Sequence, residues 1–154
     1  MDTLTISEAS ATDADVSALL LRHEALMRAG TPAGSCHVMD PAALDAAVVK
    51  LLAARDKGQL LGVGGLLLIA PGHGELKSMH TVDMARGRGV GRTLLTALIA
   101  AARASGMRRL SLETGTDDSF AAARALYHSA GFIPCPPFGA YTFDPLSAFM
   151  TRTI

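Results

Sequence analysis

Three glycines on alternate positions, Gly87, Gly89 and Gly91, interleave with Arg86, Arg88 and Arg92 where an extended run gives way to a helical one. Removing the side chains from one short turn lets successive backbone N–H groups converge on an anion. A helix opening at that turn adds unpaired N–H groups and the positive end of its dipole. With the arginines supplying charge, the segment is a phosphate cradle. Spacing alone leaves the phosphate open. The G-x-G-x-G run departs from the G-x-G-x-x-G of dinucleotide sites, the following strand offers Ser111 and Glu113 in place of a clear ribose-binding acid, and the Gly-Lys-Ser/Thr of a Walker loop is absent.

The elements that must position this turn can be read from periodicity. Leu4, Ile6 and Glu8 alternate as a first strand, and Asp13 caps a helix to about Arg28 with Val16, Leu19, Leu20 and His23 on its stripe. Asp40-Pro41 reads as an N-cap with proline at the first helical position of a short helix. Val48 to Arg55 fits helix or strand. The Asp56-Lys57-Gly58 turn signal and the β run from Leu60 to Ile69 favour strand. Gly62, Gly64 and Gly65 mark a bulge or a close backbone approach in that run. Pro71-Gly72-His73-Gly74 reads as a turn, and Glu75 to Val82 as the strand feeding the cradle. Val90, Leu94, Leu98, Ala101 and Ala102 form the buried face of a helix from about Gly89 to Ser105. A strand at Arg109–Thr114 follows, then a helix capped by Asp118 or Ser119 and ending near Ser129. Phe132 begins a further strand, a Pro/Gly loop covers 134–140, and Ser147–Thr153 is the last strand. These elements form one mixed α/β domain spanning 1–154, without repeat or linker.

Composition narrows the function classes. Lys+Arg 14 against Asp+Glu 14 leaves a net charge of +0, so no global field recruits nucleic acid or an anionic membrane. Cys36 and Cys135 make neither a disulfide framework nor a metal knuckle, which predicts reduced thiols in a cytoplasmic protein without a metal. Met1-Asp2-Thr3-Leu4-Thr5 lacks the basic start of a secretory leader, and no run of about eighteen apolar residues offers a membrane span.

Arg86-Gly87-Arg88-Gly89-Val90-Gly91 resembles the R/Q-x-x-G-x-G/A acetyl-CoA loop of the GNAT superfamily of N-acetyltransferases. Leu112-Glu113-Thr114, Ala123 with Leu126-Tyr127, and Gly131-Phe132 match that superfamily in order and spacing. A bacterial small-acceptor subgroup is closer still through Glu75-Leu76-Lys77-Ser78-Met79, Cys135 to Tyr141 and Asp144 to Met150.

The resemblance implies a mixed α/β (α+β) fold. Its central, mostly antiparallel sheet would have six to seven strands, flanked by about four helices and splayed at strands 4 and 5. It implies that acetyl-CoA is the co-substrate, its pyrophosphate held at Arg86, Gly87, Arg88, Gly89, Val90, Gly91 and Arg92. Met79, His80, Thr81 and Val82 would face the pantetheine and thioester, with one N–H polarising the carbonyl. Glu75 is the first choice for a base, directly or through water, with Glu113 second and His80 third. Tyr127 matches the tyrosine that protonates the departing thiolate. Phe120 departs from the family pattern, which often has Asn or Gln there to contact the coenzyme; Ser119 or Asp118 would partly replace that contact. Arg22, His23, Ser35, His37, Phe138 and Tyr141 are candidates for the acceptor side. The implied reaction acetylates a primary amine of a small molecule or a peptide amino terminus in a ternary complex. A non-catalytic acyl-CoA sensor and, more remotely, a nucleotide-binding domain are the alternatives. A homodimer using Phe149-Met150 is the partner that the resemblance suggests.

Overall fold

The computed structural model describes residues 4–154, so Met1 to Thr3 of the amino-terminal stretch lie outside the described residues. Seven strands form one sheet: β1 (Leu4–Glu8), β2 (Val48–Asp56), β3 (Gln59–Ala70), β4 (His73–Thr81), β5 (Arg109–Gly115), β6 (Ile133–Pro134) and β7 (Ser147–Thr153). Four helices pack on it: α1 (Ala14–Gly30), α2 (Pro41–Ala47), α3 (Val90–Ala104) and α4 (Ala121–Ser129). The strand order is β1-β2-β3-β4-β5-β7-β6, and every neighbouring pair is antiparallel except β4 with β5. That parallel pair is short, matching only His73–Glu75 to Arg109–Ser111. Beyond Glu75 the strands diverge, so the expected splay between strands 4 and 5 is present.

Val48 to Arg55 is a strand, and its ambiguity in sequence has a physical cause. Leu51, Leu52, Ala53 and Ala54 are all buried, two on each face of the sheet, so no polar alternation marks the period of two. Leu52 and Ala54 join the larger core beneath α3, while Leu51 and Ala53 join the smaller one beneath α1 and α2. Lys57 and Gly58 both take positive φ, 50° and 82°, which is the backbone a two-residue hairpin between β2 and β3 requires.

The turn after β3 is tighter than the sequence suggests. Ala70 pairs directly with His73, so only Pro71 and Gly72 make the turn and β4 starts two residues earlier than expected. Gly74 is a strand residue whose missing side chain admits Met107 Sδ, 2.5 Å from where a Cβ would stand. Phe132 is likewise not a strand residue. It is fully buried and closes the larger core, and pairing begins only at Ile133. Met150 and Phe149 are 6% and 7% exposed, so they are interior residues of β7 and not the open interface pair that analogy suggested.

Caps follow sequence closely at α2 and less so elsewhere. The Asp40 carboxylate accepts the Ala43 N–H at 2.7 Å, with Pro41 opening the helix. Asp13 precedes α1, but its carboxylate accepts the Ser10 N–H at 3.0 Å. The cap expected at Asp118 or Ser119 is Asp117, which accepts the Ser119 N–H at 3.0 Å and the Ser119 hydroxyl at 2.6 Å. It opens a 3-10 turn, Asp118–Phe120, that runs into α4. Among the described residues no helix is long and apolar enough to cross a membrane.

Candidate active site

A cavity of about 330 Å³ occupies the gap between β4 and β5. Its walls come from α1 at His23 and Met27, the segment 30–38, β4 at Leu76–Met79, β5 at Leu112–Gly115, and α4 with its approach at Asp117, Phe120, Ala123 and Tyr127. Past Glu75 the β4 edge facing the gap has no partner strand, so it presents main-chain donors and acceptors to whatever enters.

Within that stretch β4 bulges. Val63 pairs with His80 and Gly65 with Lys77, which sets Gly64 alone against Ser78 and Met79. Ser78 takes φ 57°, a left-handed conformation that a serine adopts only at a cost of about 1 kcal/mol. Gly64 permits the arrangement: a Cβ there would lie 2.4 Å from Met79 Sδ and 2.7 Å from Leu98 Cδ1. The bulge re-aims the main chain of Ser78 and Met79 at the cavity wall.

The cradle lies beyond the end of β4, after a 3-10 turn at Asp83–Ala85. Gly87 and Gly89 take φ 81° and 79°, and no atom lies within 4 Å of where either Cβ would stand. The first helical bond of α3 runs from the Thr93 N–H to the Gly89 carbonyl at 3.0 Å. The N–H groups of Val90, Gly91 and Arg92 therefore precede the helical ladder. The arginines are tethered around the loop: Arg86 to Asp83 at 3.3 Å, Arg88 to Asp56 at 3.0 Å, and Arg92 to the Ser129 hydroxyl at 3.0 Å. Gly91 serves packing, since its Cβ would meet Leu126 of α4 at 3.2 Å.

Tyr127 lines the cavity at 7% exposure, its ring edge-on to Phe132 with centroids 6.0 Å apart. Burial pushes its hydroxyl up to about 12, and that hydroxyl makes no hydrogen bond among the described residues. Glu75 is not on the cavity wall. It is 6% exposed and accepts the Tyr141 hydroxyl at 2.5 Å. Lys77 donates to the same hydroxyl at 2.7 Å and stands 3.7 Å from the Glu75 carboxylate. Burial, then the Glu75 charge, pushes the Tyr141 hydroxyl far up, and His37, Phe138 and Phe149 enclose its ring.

Glu113 and Lys77, by contrast, both reach the cavity. Burial raises the Glu113 carboxyl above its ordinary value against the pull of Ser147 and then of Lys77. His80 stacks on His23 at 4.7 Å, and burial lowers both imidazoles, His23 to about 4. Among the remaining sequence candidates, His23, Ser35 and His37 line the cavity, while Arg22 pairs with exposed Asp83 at 3.2 Å. Thr81 ends β4 beside Gly91, Val82 gives its N–H to the Leu61 carbonyl at 2.8 Å, and Ser119 is exposed on its Asp117 cap. Phe120 lies flat on Gly115, with Cδ2 2.3 Å from where a Cβ would stand, so an aromatic wall replaces the expected amide contact.

Lys77, Ser78 and Arg124 were given no role by sequence reasoning. Arg124 holds the start of α4 by donating to the Gly115 and Asp117 carbonyls at 2.6 and 2.9 Å. Lys77 did carry a signal: it is two residues from Glu75 in a strand, hence on the same face.

The His23 geometry gives a stability prediction. Its Nδ1 is buried with no partner, and its folded pKa lies below the ordinary 6.5, so folding favours the neutral ring. That stabilisation is complete above pH 6.5 and is lost as pH falls towards 4, amounting to about 3 kcal/mol. Urea unfolding at pH 7, 5 and 4 should show wild type losing more stability than His23→Leu; equal losses would refute the assignment.

Comparison with known proteins is consistent across sequence and fold. A family model described as Acetyltransferase (GNAT) family matches residues 22–132. The chain is 37% identical over 150 residues to YedL of Escherichia coli (strain K12), named an uncharacterized N-acetyltransferase, covering 97% of this chain and 94% of that protein. A solved Klebsiella pneumoniae subsp. pneumoniae MGH 78578 protein, grouped with acyl-CoA N-acyltransferases, superposes with a TM-score of 0.81 at 33% identity, covering 98% of this chain and 97% of that one. The yncA protein of Salmonella typhimurium, solved with acetyl-CoA, shares the fold at a TM-score of 0.70 and 22% identity, covering 99% and 94%.

Proposed function

Because the chain belongs to the GNAT family of acetyltransferases and is an acetyl-CoA-dependent acyltransferase, we propose that it acetylates a primary amine, of a small molecule or a peptide amino terminus, by direct attack in a ternary complex. The observation that carries this reading is the cavity at the β4–β5 splay, with Tyr127 on one wall and Glu113 on another. Residues 86–92 would hold the pyrophosphate of acetyl-CoA, and the open Gly87–Gly89 turn has the room and the unpaired N–H groups for it. The free β4 edge around Ser78 and Met79 would pair with the pantetheine amides and offer an N–H to the thioester oxygen.

An alkyl ammonium has a pKa of about 10.4, so it must lose a proton before its nitrogen can attack. Glu113 would receive that proton, because it reaches the cavity. Glu75 would act from behind it, through the Lys77–Tyr141 contact, as a fixed negative charge. Attack forms the C–N bond, the C–S bond breaks, and the thiolate is met by the Tyr127 hydroxyl. A phenol held near 12 does not give its proton outright to a thiolate of about 8.5. Tyr127 would therefore relay, donating to sulfur as the reacting nitrogen gives up its own proton.

Titration calorimetry with acetyl-CoA, together with thiol release across a panel of amines, tests the reading. Saturable binding and acceptor-dependent release are expected. Saturable binding without release would favour an acyl-CoA sensor, the reading to which Phe120 points.

A further inference from the structure

The acceptor end of the cavity has an unequal set of fixed charges. Glu113 and Asp117 are the carboxylates on the cavity wall and Glu75 lies behind it, against a single ammonium, that of Lys77, which is the one Lys or Arg among the described residues that line the cavity. Lys77 is already committed. Its Nζ donates to Tyr141, stands 3.7 Å from Glu75, and lies 5.3 Å from the centroid of the Tyr141 ring. Asp117 is taken up by its Ser119 cap, which leaves Glu113 as the wall carboxylate for a cation from outside. Elsewhere on its wall the cavity offers apolar side chains for the body of a ligand, among them Met27, Val38 and Leu146.

We infer that this end of the cavity takes a compact primary amine with an apolar body and no carboxylate, its ammonium seated on Glu113. This rests on the acetyltransferase reading above and adds the acceptor class to it. An α-amino acid carries the same ammonium, but its carboxylate has no free cation to meet. It would lie in a poorly solvated space within a few ångströms of Glu113, where like charges repel strongly. Discrimination comes from that repulsion as much as from the attraction of the amine. The titratable groups that act on Glu113 are Lys77 and Glu75 from β4 and His37 from the segment before α2; His23 of α1 and Asp117 line the same cavity.

The experiment compares phenethylamine with phenylalanine, a pair that differs by the carboxylate alone, by thiol release from acetyl-CoA. Wild type is expected to favour phenethylamine by about 30-fold in kcat/KM. In Glu113→Gln both values should fall, since the same carboxylate takes the amine's proton, but the phenethylamine value by about 10-fold more than that for phenylalanine, narrowing the ratio without a matching change in thermal midpoint. Glu113→Asp, which keeps the charge, should retain the preference and covers the case in which the amide variant folds poorly. Equal use of the two amines, a preference for phenylalanine, or an unchanged ratio in Glu113→Gln overturns the inference and leaves acetyl transfer standing. Acetyl-CoA binding with transfer to neither amine also overturns it. Failure to bind acetyl-CoA at all defeats the acetyltransferase reading itself.

Discussion

Tyr127→Phe is expected to lower kcat about 100-fold while acetyl-CoA affinity stays within about 3-fold of wild type. The split follows from what the hydroxyl touches. It has no hydrogen-bond partner among the described residues, so removing it strands no donor or acceptor of the fold. The ring remains edge-on to Phe132 and closed into the α4 face of the core, so the thermal midpoint should move by less than about 2 °C. What is lost is a neutral donor in a poorly solvated place, needed only once charge gathers on the sulfur. Because burial holds the hydroxyl near 12, it is protonated throughout the neutral range, and activity should show no alkaline loss from this group below about pH 10. Steady-state kinetics with calorimetric affinities decide the matter. Full activity in the variant removes Tyr127 from the chemistry, and an equal loss of affinity makes it a packing residue.

How much of this was legible in the chain depends on whether a feature is local. Gly87 and Gly89 were readable because a positive φ leaves a residue-type mark, and the α3 stripe because one face of that helix meets the sheet. The splay was legible only by family resemblance, since nothing in β4 or β5 as isolated strands says that their pairing stops after Glu75. The Ser78 bulge was opaque for a related reason. Its cause is Gly64 on the neighbouring strand, which yields the space that Met79 fills, and no serine advertises a left-handed backbone. The sequence offers both carboxylates as candidates, but nothing in it says which of them reaches the cavity. Burial by Tyr141, sixty-six residues away from Glu75 in sequence, withdraws Glu75 from the cavity and leaves Glu113 on its wall. Tertiary contacts of that range are beyond any window of local pattern.

The cradle yields the second large effect: Gly89→Val should weaken acetyl-CoA binding at least about 100-fold. Two causes must be separated, because Gly89 has φ 79° and any side chain there strains the backbone by about 1–2 kcal/mol, whatever the surrounding space. The space itself is open, with no atom within 4 Å of the would-be Cβ. A valine there would stand in the room through which a diphosphate must approach the N–H groups of Val90, Gly91 and Arg92. Gly106, just past the other end of α3, supplies the control. It has φ 84° and equally open surroundings, but no role near the cavity. Gly106→Val should thus cost similar stability in urea unfolding and leave acetyl-CoA affinity unchanged. If both variants lose affinity alike, the loss at Gly89 is strain passed along the helix. If Gly89→Val binds as wild type does, the diphosphate does not sit on this turn. A loss at Gly89 alone, on matched stability, is the outcome that the open cradle requires.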